Sequence, residues 1–99
     1  MRVRYEPAAT AQLTALRDWL TGQADAGTAD RIVDGLVVRC DSLCDFPRRG
    51  TPRDDVRPGM RTVVHRRRYT IGYRIIDDTV VILGVLSAGQ ELDVLTASS

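Results

Sequence analysis

At Met60 the hydrophobic period of this chain switches from that of helices to that of strands, and the switch limits the folds open to it. Upstream, Ala9, Leu13, Leu16 and Leu20 recur at three- and four-residue steps with Trp19 beside them. This spacing predicts a helix of about four turns with Gly22 close to its end. A second stripe follows, in which Ala29, Ile32, Val33, Leu36, Cys40, Leu43 and Cys44 keep one face while Asp30, Asp34, Asp41 and Asp45 fall off it. Asp25 or Thr28 is positioned to cap its start. Gly35 in its interior is expected to cost about 1 kcal/mol relative to alanine.

From Met60 onward the period is two. Met60, Thr62 and Val64 alternate with Arg61, Val63 and His65; Tyr69, Ile71, Tyr73 and Ile75 then alternate with Thr70, Gly72, Arg74 and Ile76. Assigning the Met60/Val64 and Tyr69/Tyr73 rows to the core puts Arg61 and Arg74 on the opposite face. Residues Thr79 to Leu86 are nearly all Val, Ile and Leu, the pattern of a central strand covered on both faces. Arg66-Arg67-Arg68 and Asp77-Asp78 separate these runs and are short enough for hairpins. At the other end, Arg2-Val3-Arg4-Tyr5 alternates and stops before Pro7, as a short strand would. Phe46 to Gly59, with three prolines and two glycines, is expected to be a connecting loop. The order is β-α-α-β-β-β. It predicts an α+β domain whose antiparallel sheet carries a two-helix hairpin on one face and the N-terminal strand at an edge.

Ninety-nine residues with 43% hydrophobic content suit one domain, expected over residues 1–95 with a short tail at 96–99. Met1-Arg2-Val3-Arg4-Tyr5 lacks the apolar stretch of a signal peptide, and no run is long enough to span a membrane, so a cytoplasmic protein is expected. Cys40 and Cys44 are predicted to be buried free thiols rather than a disulfide or half of a zinc site, since a single histidine and no further cysteine cannot complete a zinc shell. No metal or cofactor is expected.

Charge is segregated along the chain. The net charge is +1 overall, yet between Arg48 and Arg74 nine arginines (Arg48, Arg49, Arg53, Arg57, Arg61, Arg66, Arg67, Arg68 and Arg74) face only Asp54 and Asp55. There is no lysine anywhere. Guanidinium groups stay charged and offer a rigid fork of donors, so this cluster suits the carboxylates or phosphates of a partner. A solvated basic face is the plainer alternative.

Phe46-Pro47-x-x-Gly50, Arg53-Asp54-Asp55-Val56-Arg57-Pro58-Gly59-Met60-Arg61, Tyr69-x-Ile71-x-Tyr73-Arg74, Val80-Val81-Ile82-Leu83 and Gly89-Gln90-Glu91 together resemble the ParE/RelE superfamily of bacterial toxins, over residues 2 to about 93. The resemblance implies the toxin of a type II toxin–antitoxin pair, neutralised by a cognate antitoxin in a hetero-oligomeric complex. It also implies one of two targets: DNA gyrase for ParE-like members, or messenger RNA in the ribosome for RelE-like ones. Metal-free RNA cleavage needs a base for the 2′-hydroxyl, an acid for the leaving oxygen and cations for the phosphorane. The RelE-like pattern is incomplete here. Thr70 and Gln90 stand where that branch carries arginines, Ser87 stands where many relatives carry histidine, and nothing after Tyr73 is Tyr or His. A gyrase-binding ParE-like toxin is therefore the expectation, with Arg53, Arg57, Arg61, Arg66, Arg67, Arg68, Arg74 and Gln90 touching partner or target. The alternative is a ribosome-dependent endoribonuclease using Arg61, His65 and Arg74, with His65 otherwise a strand-surface residue near a hairpin.

Overall fold

In the computed structural model the described residues are 1–87. They form β1 (Arg2–Tyr5), α1 (Pro7–Gln23), α2 (Ala26–Asp41), a 3-10 turn (Ser42–Cys44), β2 (Thr51–Pro52), β3 (Arg61–His65), β4 (Tyr69–Ile76) and β5 (Thr79–Ser87). Pro7 opens α1 at a position where its missing amide is harmless. Asp25 caps α2, its carboxylate accepting the Thr28 amide at 2.7 Å.

The β-α-α-β-β-β order is observed, with one added element. Thr51–Pro52, inside the segment expected to be loop, pairs with β3 as a two-residue edge strand; its brevity and its proline hide it from any periodicity. The sheet order is β1-β5-β4-β3-β2. Strands β2 to β5 are antiparallel, whereas β1 joins the β5 edge in parallel, making the sheet mixed. The parallel sense follows from the connection, because the helical hairpin carries the chain back across the sheet before β2.

Both helices lie on one face. Ala9 and Leu13 of α1 and Val33, Leu36 and Cys40 of α2 pack on Val63, Ile71, Tyr73, Val80, Ile82 and Val85. The other face holds a smaller cluster, Met60, Val81, Leu83 and Leu86, with Val56 packed against it. Strand β5 is thus buried on both sides from Val80 to Leu86, as its continuous apolar run predicts. Cys40 and Cys44 are free thiols. Burial pushes the Cys40 thiol up to about 12, so it stays protonated.

The assignment of β3 to the sheet faces needs correction. The register pairs Arg61 with Tyr73, Val63 with Ile71 and His65 with Tyr69, so Arg61, Val63 and His65 face the helices. Met60 belongs to the opposite cluster and Val64 is exposed. The cause is one extra residue at the hairpin. The Arg68 amide closes the turn on the His65 carbonyl at 3.1 Å, yet His65 pairs with Tyr69, so Arg68 is inserted. A slip of one residue turns every side chain of a strand over.

Candidate partner-binding surface

Arg61 is drawn inward by this register. Its Nη1 donates to the Gly50 carbonyl at 2.9 Å and to the Arg48 carbonyl at 3.1 Å, tying down the segment between the 3-10 turn and β2. Tyr73 holds the same segment from beneath, donating to the Pro47 carbonyl at 2.7 Å and accepting the Gly50 amide at 2.9 Å. Burial is the main reason its hydroxyl pKa lies above the ordinary tyrosine value. Both residues are occupied with backbone groups, so Arg61 acts here as a structural donor.

The loop before β3 is ordered by its own charges. Arg53 makes a two-pronged pair with Asp55 at 2.9 and 3.0 Å, and the Asp54 carboxylate accepts the Gly59 amide at 2.8 Å. Gly59 has φ +77°, in the left-handed region that glycine enters at no steric cost. Arg53 is therefore neutralised locally. Arg57 is different: it is half-buried, and its Nη1 is enclosed with no hydrogen-bond partner. Arg74 lies on the face away from the helices, as expected, paired in register with Val81; a Cβ built on Gly59 would stand 3.7 Å from its Nε.

The β3–β4 turn presents Arg66, Arg67 and Arg68, all exposed. Arg66 and Arg67 have φ +53° and +57°, the sign pattern of a type I′ turn, which Asn-Gly fills far more easily. Next to them His65 packs over Gly35 of α2, a Cβ on which would lie 3.6 Å from Nε2. Burial, then Arg66 and Arg39, hold its pKa below the usual imidazole range.

A groove of about 690 Å³ opens between α1 and the sheet, walled by Gln12, Leu16 and Trp19 on one side and by Tyr69 and Val85 on the other. Strand β1 accompanies β5 only as far as Ile82, so among the described residues the rest of β5 has no strand neighbour on that side. Gln12 fills part of the gap, its Oε1 accepting the Val85 amide at 2.7 Å. Trp19 is 60% exposed at the rim. The sequence carried a hint of this groove that charge alone did not supply: Trp19 is a large apolar residue beside the stripe of α1 and not in it.

The three residues of the nuclease alternative do not converge. Arg61 and His65 sit at opposite ends of β3, about 13 Å apart along the strand, and Arg74 lies on the other face of the sheet. Gln90 lies outside the described residues. Among those residues no three His, Cys, Asp or Glu side chains come together as metal ligands, and no helix is long and apolar enough to cross a membrane.

Residues 3–92 match the family described as the ParE toxin of the type II toxin-antitoxin system, parDE. The fold is also that of a chain from the chromosomal ParDE TA system of P. aeruginosa, with a TM-score of 0.78 at 23% identity over 88% of this chain and 95% of that one. No curated protein is significantly similar in sequence.

Proposed function

Because the chain belongs to the ParE toxin family of type II toxin–antitoxin systems, we propose that it halts growth by binding and inhibiting DNA gyrase in the cytoplasm, and that a cognate antitoxin neutralises it by occupying the groove beside Trp19. The observation that carries the antitoxin half is the groove itself. An exposed tryptophan, a partly buried leucine and a strand edge that no other described strand accompanies offer anchors for an amphipathic segment that folds as it binds. The exposed arginines at the β3–β4 turn border that groove through Arg68, and they suit acidic residues of the same segment.

Inhibition by binding is favoured over RNA cleavage by the scatter of Arg61, His65 and Arg74. A cleavage site requires base, acid and phosphorane-stabilising cations around one phosphate. Here one of the two guanidiniums, that of Arg61, is spent on the Arg48 and Gly50 carbonyls.

Trp19 is the only tryptophan, so its fluorescence reports groove occupancy directly. Titration with the product of the adjoining reading frame should shift its emission to the blue, and co-expression of the two should restore growth. A toxin that is harmless at high expression and whose Trp19 emission that product leaves unmoved would contradict the toxin–antitoxin assignment.

A further inference from the structure

The groove beside Trp19 is bordered at one end by Arg68 and Tyr69. Arg68 and Tyr69 also wall a second cleft, of about 190 Å³, between α2 and the β3–β4 turn. Arg31, Ile32 and Gly35 form its helix side, and His65 and Arg66 complete the turn side. Gly35 matters because the absence of a side chain there leaves the helix backbone open to the imidazole. Neither Arg66 nor Arg68 takes part in the ion pairs found among the described residues, which join Arg17 to Asp30 and Asp34 and Arg53 to Asp55. Arg31 reaches the Thr28 hydroxyl at 3.3 Å. The turn adds an independent observation: arginine occupies two positive-φ positions where it fits poorly. Strain of this kind, retained in a local structure, points to a functional demand, and here the side chains supply charge.

We propose that this cleft is a receptor for one glutamate side chain of the antitoxin, with the carboxylate among Arg31, Arg66 and Arg68 and the aliphatic stem against Ile32 and Tyr69. The inference rests on the antitoxin reading above. Size favours a single side chain, since the cleft of about 190 Å³ is under a third of the groove of about 690 Å³ beside it. The apolar floor favours an acidic side chain over a nucleic-acid phosphate, which brings no aliphatic stem beside its charge. A net charge of +1 is likewise far from the basic balance of nucleic-acid-binding domains. Adjacency supports the same partner, since Arg68 and Tyr69 wall both cavities and a segment bound in the groove comes within reach of the cleft.

His65 makes the cleft observable. The charged groups around it are Arg66 and Arg68 from the turn and Arg31 and Arg39 from α2, with the Tyr69 ring beside it. Asp30 and Asp34 of α2 are engaged with Arg17. A bound carboxylate adds negative charge to a cationic set, which favours the imidazolium.

The test is an NMR pH titration of the sole imidazole in the free toxin and in the complex purified with the antitoxin of the adjoining reading frame. The expected result is a pKa below the ordinary value in the free protein and a rise of about one unit or more in the complex. Replacing Arg66→Asn together with Arg67→Gly keeps the turn and removes two of its three charges, one of them from the cleft; it should weaken antitoxin binding roughly tenfold and leave the protein at least as heat-stable as before. A complex in which His65 titrates unchanged and this variant binds like the parent overturns the cleft assignment while leaving the antitoxin reading intact. Failure of any complex to form overturns both. A rise in the His65 pKa on adding a short RNA or duplex DNA to the free toxin, with none in the complex, overturns the carboxylate assignment in favour of phosphate.

Discussion

The Tyr73 hydroxyl accepts the buried Gly50 amide at 2.9 Å, and a Cβ at Gly50 would stand 2.5 Å from that same oxygen. Hydroxyl and glycine are therefore fitted to each other, and the pair anchors the segment leading from the helices into the sheet. Tyr73→Phe leaves the Gly50 amide without its acceptor and should cost about 1–3 kcal/mol. Gly50→Ala should destabilise as well, because Tyr73 Cε1 at 2.9 Å and Arg61 Cβ at 3.0 Å leave the methyl no room. Urea denaturation checks both, and a Tyr73→Phe protein of unchanged stability would remove the pair from its anchoring role.

Arg61 and Arg74 separate structure from surface. Arg61→Ala deletes two hydrogen bonds to backbone carbonyls and should lower stability by about 1–3 kcal/mol. Arg74→Ala, with no such bond, should stay within about 0.5 kcal/mol of the parent. Equal thermal unfolding of the two variants would contradict the inward position of Arg61.

Two changes should stabilise. At Gly35 a methyl meets His65 Nε2 at an ordinary contact distance of 3.6 Å, so Gly35→Ala should gain up to about 1 kcal/mol of helix propensity. Arg66→Asn with Arg67→Gly should relieve the positive φ angles and gain about 1 kcal/mol or more. Calorimetry measures either gain.

His65 gives a pH dependence of definite sign. Its pKa is lowered in the folded protein, so on acidification the unfolded chain takes up the proton first. Stability is full above about pH 6.5, the unfolded value, and falls as pH drops from there through the folded pKa. His65→Gln should flatten that limb. It should leave the lower limb, where the depressed carboxyls of Asp25 and Asp55 protonate, as it was.

Both helices and three of the strands were legible because their apolar residues keep one period over many positions, and β1 was legible from its alternation up to Pro7. Strand β2 has only Thr51 and Pro52, too short to carry a period. The face of β3 was misassigned because register depends on turn geometry: inserting Arg68 reverses Arg61 and Val64, and no property of the strand itself records that. Arginine content pointed toward the turn and the groove it borders. It could not distinguish Arg53, satisfied by Asp55, or Arg61, satisfied by carbonyls, from the free Arg66, since local pairing is a three-dimensional fact.

DNA supercoiling by purified gyrase, assayed with increasing toxin and then with antitoxin, is the most direct measurement of what this protein does. Supercoiling should fall as toxin is added, recover when antitoxin fills the groove beside Trp19, and be accompanied by intact messenger RNA in a translating ribosome extract. Undiminished supercoiling together with codon-dependent cleavage of the message would contradict inhibition by binding and make this chain a ribosome-dependent nuclease.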